Sequence, residues 1–300
     1  MNLPDPPVAS APVERINRVP ASAGAEWLIG GFTLLRRAPL GLGLLGAVFG
    51  ALGLAANIAL QGGATTLGML LQLAFILLGP LLLGGMVYAA REVDEGRAPT
   101  LAHLLQGLQG ARAPRLLATL LPQVAAMALC LVLLFVMVGP AQLEQVAAAM
   151  EKIQGQAQPD PAVMAGLPVG RLFLWMLLVL AIGVTAGFFN FTALAEIMFT
   201  ARSALPAMGQ SFRACLRNLP ALLVFFVLLV IAAVALNFAV LIVAALVGAV
   251  AGPAAMHVVV QLLVMAVLMP VVTGAMYTAW KQLHGAAGSA PPAIAGHFEA

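Results

Sequence analysis

"SFRACLRNLPALLVFFVLLV", residues 211–230, places Arg213 and Arg217 before Pro220 and an unbroken apolar run after it. The same order stands in "GFTLLRRAPLGLGLLGAVFG", residues 31–50, with Phe32, Arg37 and Pro39 in the places of Phe212, Arg217 and Pro220. A third version, "LAHLLQGLQGARAPRLLATL", residues 101–120, carries Arg112 and Pro114. A membrane-crossing helix needs about 20 predominantly apolar residues. Proline fixes its own backbone angle and disfavours helix in the residue before it. The order arginine, proline, apolar run therefore reads as a surface segment, a corner and a dive into a membrane.

The composition agrees. Of 300 residues, 62% are hydrophobic and 8% are Asp, Glu, Lys or Arg, against about 25% charged residues in soluble domains. Charge-free runs extend from Ala38 to Ala90, Leu116 to Leu143, Leu172 to Ala195 and Asn218 to Trp280. "QGGATT" (61–66) and "GAVAGP" (248–253) divide the first and last, because Gly and Pro are the strongest local breakers. The expectation is an all-α polytopic membrane protein with six transmembrane helices, over about 40–60, 67–90, 116–138, 172–197, 219–247 and 254–280. These form a domain over 21–283, flanked by Pro-rich or small-residue tails at 1–20 and 284–300, with an external loop at 140–168. A barrel would show short alternating segments instead of continuous runs.

With the N-terminus inside, twelve of the 14 Lys and Arg face the cytoplasm, leaving only Lys152 and Arg171 outside. This bias predicts that both termini are cytoplasmic. It also ties the net charge of +3 to anionic lipid headgroups, with no nucleic acid as partner. Arg36, Arg37, Arg112, Arg115, Arg213 and Arg217 are the candidate headgroup contacts, since arginine holds its guanidinium at the interface while burying its methylenes.

Each pair of spans is preceded by an amphipathic segment of helical spacing. In the first, Leu28, Phe32 and Leu35 oppose Glu26, Gly30, Thr33 and Arg37. In the second, Thr100 caps a helix whose Leu101, Leu104, Leu105 and Leu108 oppose His103, Gln106 and Gln109. In the third, Met208, Phe212 and Cys215 oppose Gln210, Arg213 and Arg217. Such segments suit cytoplasmic interfacial helices. The returning spans echo each other too: "GPLLLGGMVYAAREV" (79–93) and "MPVVTGAMYTAWKQL" (269–283) align Pro80 with Pro270, Gly84 with Gly274 and Met86 with Met276. Three hairpins as parallel repeats follow, with a kink expected at each proline. In the long loop Leu143, Val146, Met150 and Ile153 form a stripe, with Glu144, Glu151 and Lys152 outside it, predicting a small external helix.

Chemistry is sparse. Four dispersed histidines give no metal-ligand spacing, two cysteines give no disulfide framework, and no nucleotide-binding loop or hydrolase motif is present. No cofactor is expected. Gly46 and Gly50 form a GxxxG read as close helix packing, and His257 with Gln261 reads as a hydrogen-bonded packing pair. Glu196 is the one acidic residue within a span, a paired interfacial glutamate or a buried functional one. With Asn190, Gln72, Asn237 and Gln261 it makes up the candidate intramembrane polar site.

"VPASAGAEWLIGGFTLLRRAPL" (19–40) and "SFRACLRNLPALL" (211–223) resemble segments of a family of uncharacterised six-helix proteobacterial inner-membrane proteins, related in architecture to the membrane domain of glycerophosphodiester phosphodiesterases. The similarity covers about 17–283. It implies inner-membrane residence and a role in the bacterial envelope, and carries over no catalytic residue. The expectation is a non-enzymatic integral protein of envelope or lipid homeostasis, partnered by membrane lipids and by another protein or a second copy. The alternative is a small-solute transporter or lipid-translocating protein, which would need a polar path at mid-membrane.

Overall fold

The computed structural model describes residues 16–154 and 167–285. The expected tails at 1–15 and 286–300, the linker bearing Pro159 and Pro161, and the side chains of Lys152 and Ile153 lie outside the described residues. In chain order the helices are α1 (Ala23–Arg37), α2 (Pro39–Gln61), α3 (Thr65–Asp94), a 3-10 helix (Leu101–Leu108), α4 (Arg112–Leu117), a 3-10 turn (Ala118–Leu120) and α5 (Leu121–Met137). There follow α6 (Pro140–Gln154), α7 (Val169–Asn190), α8 (Ala193–Phe199), α9 (Ala204–Arg217) and α10 (Leu219–His284). There is no strand among the described residues.

Five stretches are long and apolar enough to cross a membrane: Pro39–Gln61, Thr65–Asp94, Arg112–Met137, Val169–Phe199 and Leu219–His284. Their outer faces are covered with exposed large apolar side chains such as Leu70, Val136, Leu180, Phe238 and Ile242, which water would reject and hydrocarbon accepts. The chain is a multi-pass membrane protein.

Where six separate helices were expected there are five, because the 66 residues of Leu219–His284 are one helical stretch interrupted only at Gly252, with φ 85° and ψ 172°. An unbroken helix of that length would extend about 100 Å. Yet Asn17 meets both ends: its carbonyl accepts from Asn218 Nδ2 (3.1 Å) and its N–H donates to the Leu283 carbonyl (2.9 Å). Side-chain atoms of Met256 also come within 3.1–3.3 Å of where a Gly248 Cβ would lie. The chain therefore doubles back at Gly252, through a conformation open essentially to glycine alone.

The corners at Ala38 and Asn218 have non-helical backbones, and Pro39 and Pro220 open the helices that follow them. Pro114 differs, lying inside α4, while Pro122 opens α5. Pro80 and Pro270 lie buried inside α3 and α10.

The lead-in segments are packed into the protein as well as amphipathic, and this changes their faces. α1 buries Trp27, Gly31 and Leu34 and leaves Phe32 partly exposed, because it crosses α10 at backbone contact. A Cβ on Gly24 would lie 2.0 Å from the Ala221 carbonyl, and one on Gly31 2.2 Å from that of Val271. The second segment is a 3-10 helix that buries Leu104 and exposes Leu101, Leu105 and Leu108. Its Gly107 sits against the Leu81 carbonyl of α3. α9 buries Met208 and Cys215 as read, but also Gln210, which was expected on the polar face, and Ser211. In α6 Leu143 and Val146 are half-buried as read, while Ala149 is buried in place of Met150, which is exposed. Gly46 faces the Met265 carbonyl of α10, and the GxxxG is close packing.

Candidate functional site

The polar side chains gather where helices begin and end at one end of the bundle. Asp94, the last residue of α3, accepts from Lys281 Nζ (2.7 Å) and Tyr277 OH (3.0 Å) on α10, with Arg37 of α1 at 3.7 Å. Arg97 pairs with Glu92 and Glu95, and Arg91 with Glu95 at 2.6 Å. The hydrogen bonds from Arg91 and then Arg97 hold the Glu95 carboxyl below its ordinary value. Trp27 Nε1 donates to Gln282 Oε1 (2.7 Å), and Gln282 Nε2 to Glu26 (2.9 Å).

Glu196 belongs to this layer. It is 5% exposed and accepts from Arg202 Nε (3.0 Å) and Trp280 Nε1 (2.6 Å). It is thus both paired and buried, two properties the sequence reading had treated as alternatives. Arg115 hydrogen-bonds the Arg202 carbonyl at 3.0 Å, adding α4 to the network.

The other candidate polar residues are not brought together. Asn190 Nδ2 donates to the Thr119 carbonyl of the 3-10 turn (3.0 Å), and its Oδ1 is buried without a partner among the described residues. Asn237 is exposed and bonds its own helix at Ala233. Gln72 and Gln261 are half-buried on different helices, and no hydrogen bond joins His257 to Gln261 among the described residues.

Two helices are broken near that same end, α4 to α5 at 118–120 and α7 to α8 at Phe191 and Thr192. Freed backbone groups in hydrocarbon must find partners. Ser211 Oγ accepts from the Thr192 N–H (3.0 Å) and donates to the Phe188 carbonyl (2.7 Å). This explains why Ser211 is buried. Burial beside it pushes the Cys215 thiol up to about 12.

The breaks flank a cavity. A groove of about 630 Å³ lies between α5, α7 and α9, lined by Pro122, Leu129, Ile182, Phe189, Met208 and Gly209 among others. On α5 the lining extends from Leu121 to Leu129, a rise of about 12 Å. Arg213, one turn beyond Gly209 on α9, donates Nε to the Gly209 carbonyl at 3.2 Å, so its guanidinium sits at the groove's polar end. Arg36, Arg112, Arg213 and Arg217 enter no ion pair among the described residues. Arg37 is in contrast engaged by Asp94, and Arg115 by backbone carbonyls.

Sequence reasoning missed Asp94 as the junction of three helices. Its signal was an acid closing an apolar run, opposite Lys281 in the aligned return helix. It also missed the groove, whose lining residues come from three separate elements. Comparison with protein-family models, with curated proteins and with solved structures finds no match.

Proposed function

We propose that this is a non-enzymatic protein of the bacterial inner membrane that holds membrane lipid, serving lipid or envelope homeostasis. In this reading it crosses six times, as three hairpins repeated in parallel, with both termini in the cytoplasm. The observation that carries the reading is the apolar groove beside arginines that no carboxylate of the described residues neutralises. A cavity of that size is in the range of small-molecule sites, and its lining is hydrocarbon-like. The reversal at Gly252 supports the sixth crossing. The distribution of Lys and Arg supports the orientation, and the resemblance noted above supports the location. Dispersal of Asn190, Asn237 and Gln261 removes the main support for a solute path.

Two measurements test this. Extraction in native-lipid particles, followed by mass spectrometry, should show one lipid class enriched over the bulk membrane; a composition equal to the bulk overturns the lipid-holding role. Cysteines placed at exposed Gln109 and Ser203 should react with an impermeant maleimide only from the cytoplasm, and one at Gln145 only from outside. The thiol of Cys215 is fully buried and out of reach of the reagent. Labelling of Gln109→Cys from outside overturns the orientation.

A further inference from the structure

We propose that the groove between α5, α7 and α9 seats one acyl chain of an anionic diacyl phospholipid, with the headgroup phosphate on Arg213. The inference rests on the lipid-holding reading above and names its site and ligand class.

Three observations converge. The groove wall combines small residues with flat or bulky ones, Ala125, Ala126 and Ala181 beside Phe189 and Leu129, leaving an open slot whose walls are almost wholly hydrocarbon. Its length of about 12 Å along α5 fits the upper part of one lipid tail running down from the interface. At its polar end, Arg213 is exposed and anchored to the groove by its Nε bond to the Gly209 carbonyl. Its terminal nitrogens have no carboxylate partner among the described residues. Guanidinium against phosphate is the strong, charge-assisted pairing. Arg217, one turn further along the same helix, adds positive charge, which favours an anionic headgroup over a zwitterionic one. The occupant is a lipid because the lining is almost wholly apolar and Arg213, one turn beyond the lining residue Gly209, offers a cation with no carboxylate partner among the described residues.

Gly209 makes the idea testable without disturbing the fold. A Cβ there would meet nothing within 4 Å, so a larger side chain enters the groove instead of a neighbour. The full chain is placed in nanodiscs of phosphatidylglycerol and phosphatidylethanolamine in equal amounts, and retained lipid is read by native mass spectrometry after detergent release. The wild type should keep phosphatidylglycerol preferentially. Gly209→Leu should lower retention about tenfold, equivalent to losing roughly two buried methylenes. Arg213→Gln should reduce the preference for phosphatidylglycerol about fivefold, the worth of one basic residue against an anionic lipid. Thermal unfolding and elution volume report whether each variant is folded. If a folded Gly209→Leu retains lipid as the wild type does, the groove is not the seat. An unchanged preference in Arg213→Gln removes the headgroup assignment, and a wild-type dimer dissociated by Gly209→Leu assigns the groove to a second copy. Lipid enrichment in native particles together with an unaffected Gly209→Leu overturns this site alone; no enrichment at all overturns the lipid-holding function.

Discussion

At the scale of single residues, Glu196 shows how a charge is kept inside an apolar bundle. Its side chain is 7% exposed and that of its partner Arg202 25%, and Trp280 fills a second acceptor site. Removing one member of a buried pair leaves an uncompensated charge, typically at about 3–5 kcal/mol. Glu196→Leu is therefore expected to destabilise by that amount in detergent unfolding. Glu196→Gln, whose amide oxygen still accepts from Trp280, should cost less. Equal stability of Glu196→Leu and wild type would show the pair to be solvated. The sequence marked Glu196 as an acid near the end of a span. It could not reveal Trp280 as its partner, which stands 84 residues away.

At the scale of elements, periodicity and composition carried the long apolar helices, since lipid-facing helices need only be continuous and hydrophobic. They carried less of the lead-in segments. The sequence has Phe32 and Leu35 on an apolar stripe, but glycines at 24 and 31 let α1 approach α10 until backbones touch, and that contact selects the buried face. Ser211 carried no role in the sequence pattern of α9. It is buried because α7 breaks above it and needs its hydroxyl. The reversal of α10 was legible as "GAVAGP", and its whole burden falls on one residue. Gly252 has φ 85° and ψ 172°, and a Cβ there would meet no atom within 4 Å. Any penalty for Gly252→Ala is thus a backbone penalty, about 1–3 kcal/mol for a sparsely populated conformation. Thermal unfolding should fall accordingly, whereas Gly183→Ala, in open space on the helical backbone of α7, should be neutral or slightly stabilising. Equal effects at the two positions would mean that the turn relaxes freely.

At the scale of the whole molecule, the bundle is closed at its polar end by a short extended segment that the sequence presented as tail. Residues 16–20 are stitched across both ends of α10: Asn218 Oδ1 accepts from the Val19 N–H at 2.9 Å, while Asn17 Nδ2 donates to the carbonyls of Gln282 and Gly285. Asn218 is 1% exposed, and its Nδ2 also holds the Ala214 carbonyl at the end of α9. One side chain thus joins the lead-in helix α9, the corner into α10 and the segment that returns to Leu283. A proline-rich composition before Arg15 hid this, because hydrogen bonds between residues about 200 positions apart leave no local signal. Asn218→Ala should leave buried donors and acceptors unpaired, each costing about 1–3 kcal/mol, yet the apolar helices should remain inserted because their burial in lipid does not depend on it. The expected result is a lowered unfolding midpoint with faster amide exchange at Val19 and nearby positions. Asn218→Asp keeps the acceptor for Val19 and loses both donors, so it should fall between the two. If exchange at Val19 is unchanged in folded Asn218→Ala, the clasp is not what fixes the N-terminal segment, and the two ends of α10 are held together by the packing of α1, with Trp27 between Phe225 and Gln282 and Gly24 and Gly31 against the Ala221 and Val271 carbonyls.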